Sequence, residues 1–81
     1  MIKVILPELG EGIKKATVSY WFFKLGEKVG EKENLVELTT DKATFNLPSP
    51  CQGVISEILI SEGEEAPIGA TLGVIQEELK T

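Results

Sequence analysis

Between Leu35 and Pro48, apolar and polar side chains alternate about a single point. Folding the chain about the Asp41–Lys42 bond sets Thr40 against Ala43, Leu38 against Phe45 and Val36 against Leu47. On the opposite face Thr39 meets Thr44, and Glu37 meets Asn46. The first set is mostly apolar and the second wholly polar, so the period of two continues through the turn. This predicts an antiparallel hairpin with one buried face. A slip of one residue would expose Leu38 and Phe45, so the pattern also fixes the register. Asp41 suits the apex because its carboxylate can accept from nearby backbone N–H groups. No glycine explains the turn, and Lys42 stands there with its amine expected in water.

The same reading places the other elements. Ile2 to Leu6 is a short apolar run ended by Pro7 and predicts a first strand. Glu8-Leu9-Gly10-Glu11-Gly12 reads as an exposed loop. Ala16 to Lys24 predicts a long strand, in which Tyr20-Trp21-Phe22-Phe23 breaks simple alternation, as if part of it were covered on both faces. Core packing is the expectation for all four rings, with an exposed ring reserved for a partner. Gly26 to Gly30 and Gly63 to Pro67 read as turns, and Pro48 to Gly53 as a loop that two prolines keep out of a ladder. Val54 to Ile60 and Thr71 to Ile75 are strand candidates, with Gln76 to Thr81 fraying.

Two halves repeat at a shift of 37 residues. Gly26-Glu27 falls on Gly63-Glu64, Leu35 on Leu72, Leu38 on Ile75, Trp21 on Ile58 and Phe23 on Ile60. Two copies do not make a solenoid. They fit a pseudo-two-fold sandwich in which each half completes the other's core. The shift carries Lys42 to Leu79 in one direction and to Ile5 in the other. The chain ends therefore belong at the end of the molecule opposite Lys42, a layout for a tethered domain that presents its lysine outward.

Composition narrows the chemistry. Eighty-one residues make one small domain, 1–81, with 42% apolar residues to build a core. One cysteine and no histidine exclude a disulfide framework, a cysteine-based zinc site and the commonest general base. A net charge of −5 disfavours nucleic acid and anionic membrane as partners. The sequence has no signal peptide and no apolar run near 18 residues. No nucleophile is paired with a base and no phosphate loop is present, which argues against a free-standing enzyme. Cys51 reads as an inert loop thiol, and Glu8, Glu11, Glu27, Glu31 and Glu33 as a solvated face. On its own Lys42 could be an idle surface lysine, since most lysines are exposed. It could equally be a modification site, because a compact amine on a long stem suits a covalently carried acyl cofactor.

At this point the chain resembles a family. Val36-Glu37-Leu38-Thr39-Thr40-Asp41-Lys42-Ala43-Thr44 is similar to the lipoyl-attachment hairpin of lipoyl domains, whose hallmark is Asp-Lys-Ala at the turn. Pro7-Glu8-Leu9-Gly10-Glu11-Gly12 resembles the opening of those domains in acyltransferase components of 2-oxo acid dehydrogenase complexes. Trp21, Lys24, Gly26, Val29, Pro48, Pro50, Gly53 and Gly63 also match, so the resemblance covers nearly the whole chain. It implies an all-β fold, a flattened barrel of two four-stranded antiparallel sheets, within a longer multidomain parent that is an acyltransferase. It implies lipoic acid in amide linkage to Lys42, flanked by Asp41 and Ala43, with a lipoate ligase or lipoyl transferase as the modifying partner. The arm would then serve a thiamine-diphosphate-dependent 2-oxo acid decarboxylase, the acyltransferase core and a flavin-dependent dihydrolipoyl dehydrogenase. The protein would supply positioning, and the cofactor the redox and acyl chemistry. In such domains the loop matching Glu8, Leu9, Gly10, Glu11 and Gly12 lies beside the lipoyl-lysine and helps the decarboxylase recognise its partner. The resemblance further implies a monomeric isolated domain in the bacterial cytoplasm, or in the mitochondrial matrix of a eukaryote.

Two features depart from that pattern: Thr39, where many members have Glu, Ser or Val, and the unusually aromatic Tyr20–Phe23. Biotin carrier domains share the architecture but resemble Ala/Val-Met-Lys-Met at the turn, whereas Asp41 and Ala43 flank Lys42 and the only methionine is Met1. The glycine-cleavage carrier protein is longer and has helical segments this chain cannot hold. An unmodified barrel-sandwich adaptor is the non-carrier alternative.

Overall fold

The structure is a computed structural model that describes residues 1–77. Eight strands follow in order: β1 (Ile2–Ile5), β2 (Lys15–Trp21), β3 (Lys28–Val29), β4 (Asn34–Thr39), β5 (Thr44–Pro48), β6 (Gly53–Ile58), β7 (Glu65–Pro67) and β8 (Thr71–Glu77). They form two four-stranded antiparallel sheets, in the orders β1-β8-β6-β3 and β5-β4-β2-β7. The sheets pack face to face and do not close into a barrel. Loop hydrogen bonds bridge their two open corners. Leu6 joins Ala70 and Gly69 at one corner, and Ser49 joins Glu33 and Lys32 at the other. The expected fold of two four-stranded antiparallel sheets is present, packed as a sandwich.

The pseudo-two-fold axis is present in backbone detail. Val18 donates to the Glu64 carbonyl at 2.8 Å and accepts from Gly63 at 2.7 Å. At the equivalent place Ile55 donates to Glu27 at 3.0 Å and accepts from Gly26 at 2.8 Å. Gly26 and Gly63 adopt φ of 86° and 90°, a region that glycine enters at no steric cost. After each, a glutamate closes the turn: Glu27 Oε1 accepts from the Lys24 N–H at 2.6 Å, and Glu64 Oε1 from the Ser61 N–H at 2.7 Å. Glu33 does likewise for Gly30 at 2.6 Å, so Glu27 and Glu33 brace turns rather than merely solvate a face.

The core lies between the sheets, where Val18, Leu35, Val36, Leu38, Leu72 and Ile75 are fully buried. Each such side chain contributes about 1.5–3 kcal/mol by leaving water. The aromatic run is resolved by a bulge. β2 shifts register against β4 between Val18 and Tyr20, which lets Val18 and Trp21 both face inward although they are an odd number of positions apart. Its symmetry mate lies in β6, between Ile55 and Glu57. Trp21 donates its ring N–H to the Ile60 carbonyl at 2.9 Å. Tyr20 and Phe22 stay exposed, edge to face at 5.1 Å, and only Phe23 among the other three rings packs partly against the core. The expectation that all four rings are core is corrected. β2 also stops at Trp21 rather than Lys24.

Two expected turns contain strands. β3 and β7 hold two and three residues and exist because β6 and β2 supply the facing ladders. β8 runs on to Glu77, so Gln76 and Glu77 are paired rather than frayed, and the remainder of that expected fray, with Leu79, lies outside the described residues.

Candidate functional site

The hairpin forms in the predicted register: Val36 opposite Leu47, Glu37 opposite Asn46, Leu38 opposite Phe45 and Thr39 opposite Thr44. Its turn is built by Thr40. The Thr40 N–H donates to the Ala43 carbonyl at 2.8 Å, and its hydroxyl donates to the same carbonyl at 2.9 Å. That hydroxyl also accepts from the Lys42 N–H at 3.2 Å and the Ala43 N–H at 3.0 Å. One side chain thus takes up the donors that a tight turn leaves free. Sequence reasoning gave this task to the Asp41 carboxylate. Asp41 instead lines an exposed cleft with Gly12, Lys14, Thr39 and Glu65. At the base of the turn the hydroxyls of Thr39 and Ser19 pair, joining β4 to β2.

Lys42 and Ala43 are exposed. The loop from Glu8 to Gly12 stands next to them, as the family resemblance implies. The Lys42 Nζ donates to the Glu11 carbonyl at 3.4 Å. The loop is closed by the Ile13 N–H donating to the Gly10 carbonyl at 3.2 Å. Leu9 is half-buried against the core and anchors the loop, while Glu8 and Glu11 face solvent. The amine therefore meets loop backbone, and both loop carboxylates remain available to another molecule.

The opposite end of the hairpin lies near Met1 and Glu77. Gly53 pairs with Glu77, Ile2 pairs with Ile75, and the charges of Glu77 and the Met1 amine both reach Cys51. The tip lies about 20 Å away along a six-residue strand. Of the two symmetry relations drawn for Lys42, the one to Ile5 fails, because Ile2 rather than a later residue occupies in β1–β8 the place of Phe45 in β4–β5. Cys51 itself is buried, and burial first, then the nearby Glu77 and Glu31 carboxylates, pushes its thiol pKa up, which keeps it inert.

Comparison with known proteins agrees with this geometry. The Biotin_lipoyl family model, described as "Biotin-requiring enzyme", matches residues 2–75. The dihydrolipoyllysine-residue succinyltransferase component of the 2-oxoglutarate dehydrogenase complex from Bartonella vinsonii is 46% identical over 91% of this chain and 18% of that protein. The dihydrolipoyllysine-residue acetyltransferase component of the pyruvate dehydrogenase complex from Staphylococcus epidermidis is 39% identical over 79% of this chain and 15% of that protein. The solution structure of the lipoyl domain of the 2-oxoglutarate dehydrogenase complex from Azotobacter vinelandii superposes with a TM-score of 0.78 at 35% identity, covering 95% of this chain and 98% of that one. A long-chain acyl-CoA carboxylase, at 21% identity and a TM-score of 0.73, shares the fold alone. The chain belongs to the biotin/lipoyl family, and within it it is a lipoyl carrier domain. It spans about a fifth of the length of the curated relatives it matches best among those named.

Proposed function

We propose that Lys42 is the residue of this domain that carries lipoic acid, and that the domain presents it in turn to the active sites of a 2-oxo acid dehydrogenase complex. The observation that carries this reading is the place of Lys42: the apex of a register-locked hairpin, exposed, at the end of the hairpin away from Met1 and Glu77. The tip fits the group. Lys42 is exposed, its amine donates to the Glu11 carbonyl, and Gly12 beside it carries no side chain. In the attachment step the neutral Nζ forms a C–N bond to the acyl carbon of an activated lipoyl donor, an acyl adenylate or thioester. The bond to the leaving group breaks, that group departs with the electron pair, and Nζ loses one proton. Once attached, lipoic acid supplies a redox-active, acyl-accepting disulfide. The chain's own part is to hold the stem at a fixed height and to offer Glu8 and Glu11 as contacts. The partners are the ligase, the decarboxylase, the acyltransferase core and dihydrolipoyl dehydrogenase, and the isolated domain is a substrate of these enzymes.

A complex acting on 2-oxoglutarate is the finer reading. It is favoured by the 46% identity to the Bartonella succinyltransferase component over 39% to the acetyltransferase component, and by the lipoyl-domain neighbour. The bacterial sources of these relatives favour a cytoplasmic setting. The test is intact mass and peptide mapping after co-expression with a lipoate ligase. One lipoyl group on Lys42, absent from Lys42→Arg, is expected. Lipoyl mass on the Arg variant, or biotin in place of lipoate, would overturn the reading.

A further inference from the structure

Beside Lys42 the loop carries one residue that has no side chain, Gly12. A Cβ built on Gly12 would stand 3.1 Å from the Lys42 Nζ, and Gly12 adopts φ of 83°. Glu11, just before it, turns its carbonyl to the same amine at 3.4 Å. Among the described residues three other glycines with positive φ, Gly26, Gly63 and Gly69, have open space where a Cβ would go. Glycine at 12 therefore does something that glycine at those positions does not: it leaves room for the amine.

We infer that Gly12 is a positioning residue for the modification of Lys42. Its bare backbone and the Glu11 carbonyl form a notch that holds the amine at one place above the turn, so that the modifying enzyme meets a nucleophile already posed. The lysine stem has four rotatable bonds, and its amine can otherwise sweep a wide arc. Restricting that arc before the encounter removes an entropic cost from the acyl-transfer step. A side chain at 12 displaces the amine rather than the fold, because the atom in its way is the far end of a flexible chain. The loop thereby acts on attachment of the cofactor, separately from any contact its acids make with a decarboxylase. This inference rests on the reading that Lys42 is the attachment site.

The experiment compares ligase-catalysed lipoylation of wild type, Gly12→Ala, Gly12→Asn and Gly63→Ala, followed by intact mass, with a melting curve for each. Gly63→Ala carries the same backbone penalty at φ of 90° with nothing to displace. Asparagine tolerates positive φ better than alanine, so Gly12→Asn keeps the fold while still placing a Cβ beside the amine. Both Gly12 variants should lose between about ten- and a hundredfold in kcat, with KM for the domain little changed. Gly63→Ala should melt as low as Gly12→Ala yet be modified at the wild-type rate. Wild-type rates in both Gly12 variants, or an equal loss in Gly63→Ala, would overturn the inference while leaving the attachment site in place. A wild-type domain that takes no lipoyl group at Lys42 would overturn both.

Discussion

Thr40→Val removes one oxygen from the hairpin turn while keeping the shape and β-branching of the side chain. Three hydrogen bonds go with that oxygen: two accepted, from the N–H groups of Lys42 and Ala43, and one donated, to the Ala43 carbonyl. The carbonyl keeps its bond from the Thr40 N–H, and the strand register below is untouched. The freed N–H groups lie at an exposed tip and regain water, so each loss falls at the low end of about 0.5–1.5 kcal/mol. A total of about 1.5 kcal/mol lowers Tm by roughly 6–12 °C in a domain of this size. The larger effect is on the lysine, whose backbone N–H loses its anchor, so that its stem leaves a loosened turn. Lipoylation by a ligase should slow well beyond what the fraction unfolded explains, and Thr40→Ser should restore both quantities. The assay is a melting curve beside a single-turnover modification rate, taken well below Tm. A valine variant that melts and reacts like wild type would refute the reasoning, as would a serine variant no better than valine.

Three further outcomes are expected. Changing Glu8 and Glu11 to Gln should slow reductive acylation of the fully lipoylated domain by its cognate decarboxylase and leave Tm unchanged, since both acids are exposed rim charges; equal rates would remove the loop acids from recognition. Lys32 is the one non-glycine at positive φ among the described residues, at 71°, and its symmetry counterpart is Gly69 at 92°, so Lys32→Gly should raise stability by about 0.5–1 kcal/mol, read as a higher urea midpoint. Because burial raises the Cys51 thiol pKa, the folded chain keeps its proton where the unfolded chain has lost it, and stability falls as pH rises through the ordinary thiol range; Cys51→Ala should lack that part of the alkaline loss, and alkylation of wild type should be slow until urea is added.

The hairpin was legible because one face is mostly apolar and the other wholly polar, so only one register buries Leu38 and Phe45's side of the ladder. The repeat was legible because each half ends a strand with the same Gly-Glu turn, and the paired hydrogen bonds at Val18 and Ile55 show why. β3 and β7 were not, since two or three residues carry no period and the facing strand decides them. The exposed Tyr20 and Phe22 were misplaced because a bulge, invisible to an alternation count, changes which neighbours share a face. At the site, the nearness of the Glu8–Gly12 loop to Lys42 was legible, but the turn-building group was not. Asp41 and Thr40 both have oxygens that can cap a turn, and only the backbone path chooses between them. Gly12 was read only as part of the exposed loop, since nothing in a sequence says that the amine of residue 42 would stand where its side chain would begin to crowd it.

The molecule's longest dimension is 43 Å, and Lys42 stands at the far end of the hairpin from Met1 and Glu77. Any attachment through those residues makes the folded body a rigid spar. Pivoting on its attachment, the spar confines the amine to a sphere of at most 43 Å radius. One amine in that volume corresponds to an effective concentration on the order of millimolar. A partner anchored within the same radius can therefore work with a docking contact of only millimolar affinity, about −4 kcal/mol. Contacts that weak release quickly, and an arm shared among several active sites has to be let go as readily as it is received.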